Sequence, residues 1–285
     1  MLTQPGVILL DKPSGVTSFS AMNRVRKALR LKKAGHTGTL DPMATGVLVI
    51  LTEGAARFIE YLPERAKSYR ARFELGLVTD TQDTIGNVVG GKKIPVSMAQ
   101  MQAALAPFRG KISQTPPMVS AVKHEGKRLY ALARQGLEVE RAPREIEISR
   151  LELLDEHTME IDCSAGTYIR TLIHDWGQTL GCGAVLSALR RTRANGYDIQ
   201  QCATIEQIEQ GEFCVIPIEN ALECYPRVEI SSAQAVRFQN GGALDLARVR
   251  LNGPGELHRV FGGNSFLGLG KTEKDQLKIE KLLVK

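Results

Sequence analysis

The amino-terminal part of the chain alternates between apolar runs and polar punctuation. "GVILLDKPSG" is an apolar run closed by a Lys-Pro-Ser-Gly turn, so it reads as a strand and a loop. "TSFSAMNRVRKALRLKK" places Met22, Val25 and Leu29, with the small Ala21 and Ala28, on one helix face behind Thr17 or Ser18 as N-cap. "VLVIL" predicts a buried strand, and "AARFIEYL" a short helix after it. "KSYRARFELGLVTDTQDTIGNVV" alternates as two strands joined by a polar turn, and "SMAQMQAALAPFRG" is an amphipathic helix ended by Gly110.

A Pro-Pro loop then opens a long polar excursion over about 112–147, basic and partly helical, which reads as an insertion from the main sheet. "TMEIDCSAGTYIRTLIHDWGQTL" predicts a strand, a glycine turn and a helix beginning near Tyr168. "GAVLSALRRTRANGYDI" reads as a helix followed by a strand, and "TIEQIEQ" as another short helix. The character changes around Tyr225-Pro226. Beyond it come short alternating strands and many glycines, "NGG", "NGPG" and "FGGNSFLGLG". The pattern predicts an α+β chain with a large domain over 1–225 and a small β-rich domain over 226–285.

Composition adds limits. With 285 residues, 43% apolar and 24% charged, the chain has ample material for a buried core and matches globular usage. The formal charge of +6 and pI of 9.1 suit a polyanionic partner. That charge is concentrated. Arg24, Arg26, Lys27, Arg30, Lys32 and Lys33 follow one another on the first helix with no acid among them, which favours contact with a phosphate backbone. Lys123, Lys127, Arg128 and Arg134 give the excursion a second basic stretch. The five cysteines form no C-x-x-C pair, and the amino terminus lacks a signal-peptide pattern. No apolar run approaches the roughly 20 residues of a membrane span. A cytoplasmic chain without a membrane segment is expected.

Chemistry points to "GHTGTLDPMATG", between the basic helix and the buried strand. Pro42 fixes its own φ and pushes Asp41 out of the right-handed helical region, so the carboxylate sits on a loop of restricted geometry. Asp41 can be a helix cap, a metal ligand or a catalytic group. There is no Walker A pattern and no G-x-S-x-G elbow, and His36 stands where an aspartic protease needs its acid. His36 and Asp41 have no matching further ligands at known spacings, so no metal is expected. A lone carboxylate needs a partner from elsewhere. Arg170 in "CSAGTYIRTL", at a strand-to-helix junction with Tyr168, is the candidate, because an adjacent guanidinium keeps a carboxylate ionised and orients it.

These segments resemble the TruB family of pseudouridine synthases, which act on uridine 55 of tRNA. "GHTGTLDPMATGVL" is similar to the family's signature loop. "VILLDKPSGVTS", "KSYRARFELGLVTDTQD", "CSAGTYIRTL", "GAVLSALRRTR" and "FLGLGK" follow in the family's order across nearly the whole chain. The resemblance implies a mixed, largely antiparallel sheet flanked by helices and loops, with an RNA-gripping insertion over 112–147 and a carboxy-terminal PUA domain. It implies Asp41 as the catalytic carboxylate, Arg170 paired with it and Tyr69 stacked on the target uracil. His36 would support the loop, and Tyr168 and Leu189 would line the uridine pocket. Lys12, Arg24, Lys123 and Arg134 are expected on the RNA backbone. The partner implied is the T-arm of tRNA, bound by a monomer without cofactor, metal or accessory protein. A second reading is an RNA-folding protein on the same scaffold; a third is a synthase of guide-directed or ribosomal RNA.

Overall fold

The computed structural model describes residues 5–63, 65–120, 122–124, 126–133 and 135–283; at 123, 124, 127, 128, 130 and 131 it describes the backbone alone. Arg134, expected on the RNA backbone, lies outside the described residues. Two compact units emerge: the described residues within 1–42, 47–64 and 195–285, and those within 43–46 and 65–194.

In the first unit the strand Gly6–Lys12 pairs antiparallel with Ile216–Pro217, and Ala34–His36 pairs antiparallel with the far end of the strand Thr45–Thr52. The helix Ser18–Ala28 lies over them. Its Ala21, Met22 and Val25 join Ile8, Leu10, Leu48, Ile50, Ile205 and Ile208 in one core cluster. Thr17 is the N-cap and accepts the Ser20 N–H at 3.0 Å.

The same unit carries a five-stranded sheet of Arg227–Ile230, Leu257–Gly262, Ser265–Glu273, Gln276–Leu282 and Leu244–Asp245, in that spatial order. The first pair is parallel and the rest antiparallel. Val228, Phe238, Val260 and Leu277 lead its own core cluster. Within it, Gly268 has a φ of +147° and lies so close to the Lys281 carbonyl that no Cβ would fit. It is fastened to the turn-like helix Glu53–Tyr61: the Tyr61 hydroxyl donates to Glu280 at 2.7 Å, Tyr225 donates to the Tyr61 carbonyl at 2.9 Å, and Phe58 meets Phe266.

The second unit is built on an antiparallel sheet ordered Ala184–Ala194, Lys67–Leu75, Thr158–Cys163, Arg144–Asp155 and Gly110–Gln114. Along Lys67–Leu75, Tyr69, Ala71 and Phe73 are buried while Arg70, Arg72 and Glu74 face out, the period-two alternation of a half-buried strand. The helix Ile169–Thr179 covers the buried face, with Trp176 edge-on to Phe73 at 4.9 Å and its indole N–H donating to the Met101 carbonyl.

Three expectations need correction. "GAVLSALRR" is not helical: Ala184–Ala194 is a strand paired with the full length of Lys67–Leu75. "LVTDTQDTIGNVV" holds only a small hairpin of Val78–Thr79 with Val88–Gly90, beside the main-sheet strand. The excursion is shorter than 112–147, because Gln114 pairs with Arg144 and the chain leaves the sheet only between them. Among the described residues no helix is long and apolar enough to cross a membrane.

Candidate active site

The loop bearing Asp41 is held from both sides. Just before it, the Ser18 side chain exchanges two hydrogen bonds with the Leu40 backbone, accepting from its N–H at 2.8 Å and donating to its carbonyl at 3.0 Å. Just after it, the Pro42 carbonyl accepts from the Gly15 N–H at 2.8 Å and from the Lys12 ammonium at 3.3 Å. Lys12 also donates to the carbonyls of Pro13 and Val16, at 2.8 and 2.7 Å. Upstream, the Thr37 N–H bonds to the Val49 carbonyl and its hydroxyl bonds to Asn195. Asp41 itself is half-buried between these clamps, as is His36 at the end of its short strand.

Asp41 caps no helix. Pro42 and Met43 form a turn that leads through Ala44 into the strand Thr45–Thr52, so the capping role suggested by Asp-Pro is excluded. Lys12 is also corrected. Expected on the RNA backbone, it is fully buried, and its ammonium ties the Pro13 and Val16 carbonyls of its own turn to the Pro42 carbonyl next to Asp41. Sequence alone gave no reason to bury a lysine beside Pro13. Arg24, half exposed, forms a two-pronged pair with Glu209, at 2.7 and 2.9 Å, and approaches Glu206 at 3.5 Å. The acids come from the helix Ile205–Gln210, remote in sequence.

In the second unit, Tyr69 is buried on the sheet face that the helix Ile169–Thr179 covers. Its cross-strand neighbours are Ile161 on one side and Arg191 on the other. Leu189 pairs with Ala71, diagonal to Tyr69, and is equally buried. Arg191, fully buried, was not singled out from the sequence. Nor was Lys67, where burial and the nearby Arg191 charge push the ammonium down to about 8. Burial pushes the neighbouring Cys163 thiol up to about 11. Tyr69 therefore lies on a dry, cation-rich wall.

Arg170 is the second residue of its helix and almost fully buried. It donates to the carbonyls of Thr81 at 2.9 Å and Val119 at 2.7 Å, and stands 4.0 Å from the Asp83 carboxylate. Asp83 accepts from the Thr81 hydroxyl and the Ile85 N–H. Thus the "TDTQD" turn, whose Gln82 also accepts from Thr171, cradles the arginine. Tyr168 precedes it as the helix N-cap residue. Gln114 clamps the Tyr168 backbone by two bonds, accepting its N–H at 2.8 Å and donating to its carbonyl at 3.1 Å. The Arg144 guanidinium lies 5.9 Å from the Tyr168 ring. Neither Asp83 nor Gln114 was legible as a site residue.

The structure thus brings Tyr69, Leu189 and Arg191 together on adjacent strands, and Tyr168 and Arg170 together at one helix start. Asp41 and His36 belong to the first unit and the other predicted pocket residues to the second. Lys123 lies on a two-residue strand pairing with Arg128. Among the described residues no group of three or more His, Cys, Asp or Glu side chains is arranged to hold a metal. Asp41 is thus a loop-held carboxylate of the first unit, and Tyr69 and Arg170 are a buried aromatic and a buried guanidinium of the second.

Comparison with known proteins agrees in class. Residues 26–169 match the model of the TruB family pseudouridylate synthase N-terminal domain, and residues 170–223 that of the tRNA pseudouridylate synthase B C-terminal domain. The chain is 42% identical to the tRNA pseudouridine synthase B of Azoarcus sp. (strain BH72), covering 98% of this chain and 94% of that protein. It is 40% identical to the tRNA pseudouridine synthase B of Clostridium tetani, covering 98% and 99%. Among solved structures, a chain of a Cbf5-Nop10-Gar1 complex superposes with a TM-score of 0.70 at 29% identity, covering 98% of this chain and 85% of its own. A chain of an H/ACA RNP bound to a substrate RNA containing 2′-deoxyuridine does so at 0.70 and 26%, with the same coverage. The fold and the matches define a pseudouridine synthase, an isomerase. The chain belongs to the TruB family.

Proposed function

We propose that the protein converts uridine 55 in the T-loop of tRNA to pseudouridine, with Asp41 as the catalytic carboxylate. The observation that carries this reading is the clamping of the Asp41 loop by Lys12 and Ser18 in a chain of this family. Isomerisation breaks the N1–C1′ bond, turns the freed uracil and rejoins it through C5, which then gives up its proton to a base while N1 takes one up. A base stacked in RNA is out of reach, so it is flipped into a pocket at a cost of a few kcal/mol. The ionised Asp41 carboxylate attacks the sugar or stabilises its positive charge, as carboxylates do in glycoside hydrolysis. Arg170 pairs with Asp41 and aims its carboxylate. Tyr69 holds the detached uracil by stacking while it turns, Tyr168 and Leu189 line its pocket, and His36 supports the loop beside the flipped nucleotide. A closed apolar pocket around the base excludes water that would hydrolyse the intermediate.

The RNA is gripped by the exposed end of the basic helix, by Lys123 and Arg134 in the excursion, and by residues 226–285 acting as a PUA-type module. The protein acts as a cytoplasmic monomer on tRNA without a cofactor. The test is tritium release from C5-labelled uridine in a T-arm hairpin. Wild type is expected to release it and Asp41→Asn to release none. A wild type that binds the hairpin but releases no tritium would favour the RNA-folding reading, and full activity in Asp41→Asn would remove the carboxylate from its role.

A further inference from the structure

Phe19 is 64% exposed, and among the residues whose side chains are described it is the only aromatic ring left largely open to solvent. Leaving a phenyl group in water forgoes the stabilisation that burial gives, and single exposed apolar residues are common enough to need no cause. Its surroundings set this one apart. Phe19 lies directly between Thr17, which caps the helix, and the stretch that covers the core. The preceding residue, Ser18, is buried and bound twice to Leu40, which adjoins Asp41. The ring is therefore carried by a rigid helix start that is itself fastened to the catalytic loop.

The helix period places Phe19, Asn23 and Lys27 on the solvent side, opposite the buried Ala21, Met22 and Val25. Beyond Lys27 the exposed Arg30, Lys32 and Lys33 continue the positive surface. Gly15, before the helix, has open space where a Cβ would lie, and Gly38 and Thr39, just before the Leu40 that Ser18 holds, are exposed. An open aromatic face next to a cationic track and beside a catalytic loop has the composition of a base-stacking platform.

We propose that Phe19 stacks on a second unstacked base of the substrate RNA, one adjoining the flipped uridine. Removing one nucleotide from the stack deprives its neighbour of a stacking surface, and a fixed phenyl face replaces it. Lys27 and the cations after it hold the phosphates that follow. The inference rests on the proposed action on an RNA loop. It adds a position outside the uridine pocket that selects how the loop is opened.

The test measures the dissociation constant of a T-arm hairpin for wild type, Phe19→Leu and Phe19→Tyr, with hairpins carrying a single abasic nucleotide on either side of the target. Leucine keeps an apolar side chain of similar size without an aromatic face. Phe19→Leu is expected to weaken binding about 5- to 150-fold, the equivalent of one base–aromatic stack. Phe19→Tyr is expected to stay within about twofold of wild type. One abasic position should cost wild type the same factor and cost Phe19→Leu nothing more, as a shared contact requires. Phe19→Leu binding as tightly as wild type overturns the inference, and so does Phe19→Tyr binding as weakly as Phe19→Leu. A wild type that forms no pseudouridine in any hairpin would instead remove the reading on which the inference rests.

Discussion

Replacing Lys12 by methionine removes a buried ammonium while keeping a side chain of similar length. The ammonium is 0% exposed and donates to three carbonyls, two of them at 2.7 and 2.8 Å and the third at 3.3 Å. Hydrogen bonds from a charged donor contribute about 1.5–3 kcal/mol each, so the two short ones account for about 3–6 kcal/mol. Against this, the variant no longer desolvates a charge, which returns several kcal/mol. Pro13 and Pro42 are exposed residues, so water can reach part of what the ammonium leaves, and Pro42 keeps its bond from Gly15. The net expectation is a loss of about 2–3 kcal/mol in urea unfolding followed by circular dichroism. Because the released segment adjoins Asp41, kcat on a T-arm hairpin should fall about tenfold or more, and KM should change far less. Stability within about 0.5 kcal/mol of wild type, with kcat intact, refutes the clamp. If KM rises instead and the salt dependence of binding weakens, Lys12 acts on phosphate after all.

Two further substitutions probe the second unit. Gly46→Ala puts a Cβ 2.1 Å from the Arg191 carbonyl at a φ of +102°, so the variant is expected to lose soluble, folded protein in expression and thermal melts; a melt like wild type would show that the close approach is not rigid. For Lys67 the sign follows from its folded value of about 8, below the ordinary 10.5. The unfolded chain binds more protons between these values, so this group's penalty is full below about pH 8 and disappears as pH rises towards 10.5. Lys67→Met is expected to be more stable than wild type by about 2–3 kcal/mol at pH 7, with the difference shrinking by pH 10. A difference that is flat across this range in urea titrations contradicts it.

The sequence pattern predicted those elements whose signal is local. The helix Ser18–Ala28 with its Thr17 cap follows from apolar spacing and side-chain chemistry within a dozen positions. The strand Ala184–Ala194 was misread for a definable reason. Register shifts between Leu186 and Ala188, and between Arg191 and Arg193, displace the alternation, so the buried Leu186, Leu189, Arg191 and Ala194 no longer follow the strict period of two by which a strand is read. Burial of charge was equally hidden. Lys12, Arg170 and Arg191 are formally surface residue types, and only the fold supplies the carbonyls of Pro13, Val16, Thr81 and Val119 that let two of them be buried. The restricted loop around Asp41 was legible from its proline and glycines. The clamps that hold it were not, because Ser18 and Lys12 reach it from 22 and 30 residues away in sequence.

The central claim is that Asp41, held by these clamps, isomerises one uridine of the tRNA T-loop. Nucleotide-resolution mapping of pseudouridine in unmodified full-length tRNA, incubated with wild type or with Asp41→Asn, tests it most directly. The account predicts a single new pseudouridine at position 55 with wild type and none with the variant. Modification at another position, or an equal yield from Asp41→Asn, contradicts it.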